Sequence, residues 1–446
     1  MQPLPLRSRL LYASSSLGSE AVGQARGLWL LYFYAPPADA DIEQQLPRAL
    51  VVGLLVAARL IDSADDALVG FWSDRTRSRW GRRIPFIVGA TPLWAIFFVL
   101  LFMPPEGSTA TTALYFFVVL EVGSIFATLS GGPYEALLPE IAPENEDRVK
   151  IVGMRVYFGA AGAAIGLVLA SVLKDVIGFR GMAIALASLA LVMRYAGLAG
   201  VWQRAKASQE SADVGFREAM RQTFENRYFL LFLPTFVLFQ IGYQMLVGVL
   251  PYFVNAELGV DEDNEGTWVA ALAAVAIVAV LVSLPLFARY ALRTSKRQAY
   301  RRAMVGAAVV FPLAALPGLV PGIPAEVALF GLMVLVGLPV AGNYLFPAPL
   351  TADIIDYDST RTGMRREATY YGAQNFVEKT ATAIVPLLLL CLLVFGDTAD
   401  DPLGIHLVGP VAGAIVFGGY LVFRRYDLPD EVPGRAIPEP ARSAPQ

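Results

Sequence analysis

The sequence predicts an all-α membrane protein of about twelve transmembrane helices in two six-helix halves, with both termini cytoplasmic. Three observations predict it. The 446 residues are 56% hydrophobic and only 16% charged, with a mean hydropathy of +0.54, far more apolar than a soluble domain of that length. Apolar segments long enough to cross a bilayer recur along the chain. The basic residues fall in alternate connections.

In order, the predicted spans are 10–34, 46–72, 84–103, 112–138, 149–173 and 179–202. The second half gives 228–254, 267–292, 303–321, 325–350, 368–395 and 407–424. The first follows two arginines in MQPLPLRSRLLYASSS, but it is too long for a signal-peptide core and lacks a small-residue cleavage site, so it is read as retained. In the connector RAKASQESADVGFREAMRQTFENR, Phe216, Met220 and Phe224 recur at four-residue spacing, predicting a short amphipathic surface helix. The expected division is therefore 1–203, a connector 204–227, then 228–425, with a disordered tail at 426–446 rich in Pro and charge. Arginines crowd the connections between spans two and three (Arg75, Arg77, Arg79, Arg82, Arg83), between the halves (Arg204, Arg217, Arg221) and between spans eight and nine (Arg293, Arg297, Arg301). The alternate connections NAELGVDEDNEG and FGDTADDPLGIH hold no Lys or Arg, which places the termini on the inside.

Span two carries Asp62, Asp65 and Asp66 within RLIDSADDALVGFW. Each acid at a helix centre costs about 2.5 to 3.5 kcal/mol, against about 0.3 to 0.6 gained per Leu, Ile, Val or Phe. Such a helix must turn its acidic side into a bundle or a watery cavity. Asp62 and Asp66 are four apart and share a face, with Arg59 one turn before and Asp65 at the edge. Such a group suits Na+, which wants several oxygen ligands, or a proton shared between adjacent carboxylates. An ion pair with Arg59 that only fixes packing is the plainer alternative.

Other intramembrane charges are Glu20 with Gln24 one turn on and Arg26 nearby, Glu135 in GGPYEALLPEI, Arg155 in VKIVGMRVYF and Lys379 in NFVEK. Each alone is balanced between a structural ion pair and a role in substrate binding or coupling. Arg194 is expected to be structural, with its head group snorkelling. Glycines in GAAGAAIG are read as close helix packing, and Gly342, Asn343, Pro347 and Pro349 as a break in span ten. Cys391 stands alone, which excludes a disulfide framework, and His406 is expected in an outer loop, solvated or interfacial. The chain has no HExxH, GxSxG with partners, GxGxxG after a strand, or Walker lysine, so hydrolase and nucleotide chemistry have no footing and no cofactor is expected.

Four motifs carry a resemblance: ARLIDSADDALVGFWSDRTRSRWGRRIPF, PYEALLPEIAPENEDRVKIVGMRVYF, ADIIDYDSTRTGMRREATYYG and NFVEK. Through them the chain, from span one to span twelve, resembles the melibiose permease-like glycoside-pentoside-hexuronide cation symporters of the major facilitator superfamily. The resemblance implies a major facilitator fold and a cation site at Asp62, Asp65, Asp66 and the Thr128 hydroxyl, with Na+ or H+ as the coupling ion. Lys379 and Arg59 would couple to that site. Glu20, Gln24, Glu135 and Arg155 would bind substrate, with Glu20 in place of an aspartate that holds sugar hydroxyls. Asp74, Arg75, Arg82 and Arg83 would form a gating loop. Gly131 stands in place of a second sugar-binding aspartate and Glu135 in place of a sugar-stacking tryptophan, which points away from a galactoside pocket. The expected function is cation-coupled symport of a sugar, glycoside or uronide in the plasma membrane. A lysolipid or other amphiphile is the alternative cargo, and a non-transporting sensor or scaffold a remote one. No nucleic-acid partner is expected, and a monomer is implied by the resemblance.

Overall fold

The computed structural model describes residues 4–40, 42–58, 61, 78–142, 145–207, 223–318, 322–362 and 367–428. Among the described residues the regular structure is entirely helical. Helix α1 is Leu6–Tyr34, α2 is Arg48–Ala58, α3 is Ile84–Leu100 and α4 is Thr109–Ala136. After the single turn Leu138–Ile141 come α5, Asn145–Ala164, a π-helical turn Ile165–Leu169 and α6, Ala170–Ala207. Next are α7, Arg227–Leu258, α8, Glu262–Arg293, and α9, Lys296–Val310, which runs into a 3-10 turn. The last five are α10, Ala325–Leu345, α11, Pro347–Thr362, α12, Glu367–Thr382, α13, Val385–Leu393, and α14, Leu403–Phe423. Among the described residues, seven helices are long and apolar enough to cross a membrane. One of them, Lys150–Ala205, is 56 residues long, roughly 84 Å at 1.5 Å per residue and far more than one bilayer. It is hinged at Gly178, whose φ of 71° and ψ of 172° interrupt the helical run and suit a residue without Cβ.

Local chemistry explains where elements differ from their predicted spans. Helix α9 begins at Lys296, earlier than 303, because the Ser295 hydroxyl caps it by accepting from the Gln298 N–H at 3.1 Å. The span expected at 325–350 is broken at Phe346, ahead of Pro347. The span expected at 368–395 is likewise divided between Thr382 and Val385, with a proline at the start of α13. Helix α14 starts at Leu403, which corrects the expectation for His406. Pro402 precedes the helix, His406 is buried, and its Nε2 meets Glu257 Oε1 at 2.5 Å. The predicted connector helix and tail lie largely outside the described residues.

Helix α1 is gripped by α5 and α6. A Cβ added at Gly162 would stand 2.2 Å from the Leu17 carbonyl oxygen, and one at Gly166 would stand 2.4 Å from that of Ala21. These are backbone atoms that cannot step aside, so the glycines of GAAGAAIG set helix approach, as read from the sequence. Gly162→Val is expected to cost about 1–3 kcal/mol, typical of overpacking, and a lowered melting temperature of the purified protein would register it.

At the end of the bundle formed by the C-terminus of α1 and the N-termini of α2 and α8, polar contacts join distant parts of the chain. Lys174 Nζ pairs with Glu265 at 3.0 Å and lies 5.4 Å from the Trp29 ring centre. Asp175 accepts from the Gly266 and Thr267 backbone N–H groups in the first turns of α8, where the helix dipole favours an anion. Arg48 pairs with Asp397, and the Tyr252 hydroxyl donates to the Ala35 carbonyl at 2.9 Å. Lys174 and Glu265 are almost fully buried, so Lys174→Met, which strands two acids, should cost about 3–5 kcal/mol. The double variant Lys174→Met with Glu265→Leu should recover part of that loss in thermal melts.

Candidate functional site

Ser16, Glu20 and Gln24 recur at four-residue spacing and so share one face of α1. Onto that face α5 brings Arg155 and α4 brings Glu135. The guanidinium grips the Glu135 carboxylate through both of its terminal nitrogens and donates from Nε to the Ser16 hydroxyl at 3.2 Å. A two-point grip of this kind fixes orientation as well as charge. Gly159, one turn beyond Arg155, lies beside the Glu20 side chain, at ordinary van der Waals distance for a Cβ built there.

Beneath the pair a second arrangement holds the helices. Tyr12 of α1 and Tyr134 of α4 stack with ring centres 4.7 Å apart, and each hydroxyl donates to the other's backbone carbonyl at 2.8 Å. Arg194 does not snorkel as the sequence suggested. It is buried, donates to the Ser19 hydroxyl at 2.9 Å and lies 4.5 Å from the Tyr134 ring centre, where desolvation strengthens a cation–π contact.

Glu20 looks across to other helices. It lies within electrostatic reach of Tyr243 on α7, Tyr344 on α10 and Glu378 on α12. Glu20 and Tyr344 are nevertheless exposed, so they line an accessible cleft between the helices. On its far wall Asn343 Nδ2 donates to Gln240 Oε1 at 3.0 Å, and Gln240 Nε2 donates to Glu378 Oε1 at 2.7 Å. The Tyr243 and Tyr344 hydroxyls are 3.2 Å apart. A family model described as MFS/sugar transport protein matches residues 11–405.

The chain belongs to this MFS/sugar transport family. It is a membrane transporter of small molecules, not an enzyme. Among its relatives is an uncharacterized symporter of Synechocystis, 23% identical over 86% of this chain and 84% of that protein. Another is the isoprimeverose transporter of Lactiplantibacillus pentosus, 21% identical over 85% of this chain and 78% of that one. The fold is that of the nucleoside transporter NupG, whose crystal structure superposes with a TM-score of 0.64 at 12% identity, over 95% of this chain and 100% of the other.

Of the residues expected to bind substrate, Glu20, Gln24, Glu135 and Arg155 come together. Thr128 lies two turns before Glu135 on α4 and Lys379 directly follows Glu378 on α12. Asp62, Asp65, Asp66, Arg59, Asp74 and Arg75 lie outside the described residues. The described part of the basic loop is tied down: Arg82 and Arg83 both pair with Glu140, Arg83 at 2.8 Å. Sequence reasoning passed over Gln240, Tyr243, Tyr344 and Glu378. Glu378 did carry a signal, as an acid in an apolar span within the same motif as Lys379. The uncharged three carry none, because Gln and Tyr cost little in a helix that has partners.

Proposed function

We propose that the chain is a cation-coupled symporter of a sugar or glycoside, working by alternating access as a monomer. Twelve spans in two six-helix halves, 1–203 and 228–425, would carry both termini on the cytoplasmic side. Asp62 and Asp66, with Asp65 and Thr128, hold Na+ or a proton, and Lys379 and Arg59 balance their charge. Glu20, Gln24, Arg155 and Glu135 meet the substrate, and the loop with Asp74, Arg75, Arg82 and Arg83 takes part in gating. The carrying observation is that exposed Glu20, near the Arg155–Glu135 pair, lies within electrostatic reach of Glu378 and its Gln240–Asn343 chain. Densely spaced hydrogen-bonding groups between apolar helices suit a polyhydroxylated cargo. Coupling then requires that cation and sugar each raise the other's affinity by the same factor.

A thermal-shift screen of the purified protein against sugars, uronides and lysolipids, with and without Na+ and at two pH values, tests this reading. A sugar-like ligand whose stabilisation grows with Na+ or with acidification is the expected result. Stabilisation by lysolipids alone would overturn it. That second reading, transport of an amphiphile, draws on an open apolar groove of about 510 Å³ between α7 and α12, walled by Leu233, Val237, Ile241, Val377 and Ala381.

A further inference from the structure

The hydrogen-bond chain on the far wall has a direction. At one end stands the Glu378 carboxyl group, whose Oε1 accepts from the Gln240 amide. The Gln240 amide must therefore present its nitrogen to Glu378 and its oxygen to Asn343. Asn343 must in turn present its nitrogen to Gln240, and its own oxygen, Oδ1, is left over. That oxygen is buried and accepts no hydrogen bond among the described residues. At the other end Gln240 occupies Oε1 of Glu378. The chain thus runs through three helices and ends on Glu378, the half-buried acceptor that cargo can reach.

Within electrostatic reach of Glu378 is another carboxylate, Glu20. The neighbouring cations are engaged elsewhere. Arg155 gives its two terminal nitrogens to Glu135 and its Nε to Ser16, and Arg194 is buried against Tyr134 and Ser19. Lys379 is one residue from Glu378 and so points about 100° away around α12. Cargo between Glu20 and Glu378 therefore meets negative charge and lone pairs on both sides. Hydroxyl groups satisfy such a site, and a carboxylate on the cargo is repelled by it.

Resting on the sugar-symport reading above, we propose that Glu378 is a specificity-determining residue that accepts hydrogen bonds from the hydroxyls of a neutral sugar and excludes uronates. Gln240 and Asn343 are its positioning residues. Burial of cargo makes the discrimination steep, because a site built to accept from a donor rejects an analogue that replaces the donor with a like charge.

The test uses the full-length protein and matched pairs that differ only at C6: p-nitrophenyl β-D-glucoside with its glucuronide, and the β-D-galactoside with its galacturonide. Binding is measured by calorimetry in detergent, in the presence of Na+. The wild type should bind the neutral member of a pair at least tenfold more tightly than the uronide. Glu378→Gln should weaken the neutral ligand and narrow the ratio at least tenfold by admitting the uronide. Asn343→Leu, which changes no charge, should weaken the neutral ligand without admitting the uronide. A wild type that binds uronides as well as neutral glycosides, or a ratio that Glu378→Gln leaves unchanged in a protein that still melts cooperatively, overturns the proposal and leaves sugar symport standing. Binding of lysolipid with no member of either pair overturns both.

Discussion

Arg155→Ala is expected to reduce initial uptake roughly thirty- to a hundredfold. Exposed ion pairs contribute about 0–1 kcal/mol and breaking a buried one costs about 3–5 kcal/mol; with Arg155 22% and Glu135 53% exposed, this pair lies between them, at about 2–3 kcal/mol. At 1.4 kcal/mol per decade this is the stated loss. The penalty arises because Glu135 and Glu20 are left facing the cleft without the guanidinium that Glu135 is gripped by. Arg155→Lys should recover about half of the free energy, since an ammonium restores charge but not the two-point grip. The double variant Arg155→Ala with Glu135→Gln should outperform Arg155→Ala alone, because the stranded acid has gone. Initial rates in proteoliposomes, with the best ligand from the screen, decide it. Equal activity of Arg155→Ala and wild type would remove the pair from the transport site.

The other large effect concerns energy rather than rate. One cation moving through 100 mV supplies about 2.3 kcal/mol, enough to support roughly fiftyfold accumulation. Asp62→Asn or Asp66→Asn should bring accumulation down to equilibration while counterflow exchange persists. Proteoliposomes with an imposed Na+ or pH gradient separate the two behaviours. Concentrative uptake that survives both substitutions would move the coupling site away from span two.

What the sequence revealed and what it hid follow one physical division. That long apolar runs become helices was legible because it depends on summed apolar length, and the prediction for α1 ends at Tyr34, where the helix does. The interruptions at Phe346 and between Thr382 and Val385 were harder, since a proline inside an apolar run does not lower its hydropathy. Gly342 and Asn343 hinted at the first of them. The charged members of the site, Glu20, Glu135 and Arg155, announced themselves by their cost in hydrocarbon. Their partners were not announced: that Arg155 would choose Glu135 and Ser16 depends on how α1, α4 and α5 meet, which is fixed by Gly162, Gly166 and the Tyr12–Tyr134 stack. His406 was misplaced because loop and helix end share one composition in DDPLGIH, and the pairing with Glu257, 149 positions away, has no local trace.

The π-helical turn at Ile165–Leu169 lies on the continuous run between Arg155 and Lys174. It holds one residue more than an α-helical turn, so everything after it is rotated by about 100° relative to an uninterrupted helix. Loss of a single codon there would restore the α-helix and swing Lys174 and Asp175 off the face that meets α8, or Arg155 off the face that meets α4, without altering any side chain. Among transporters built on this plan, length change at this turn is thus a one-step genetic route to a different lining, and deleting Leu169 is the experiment that imitates it.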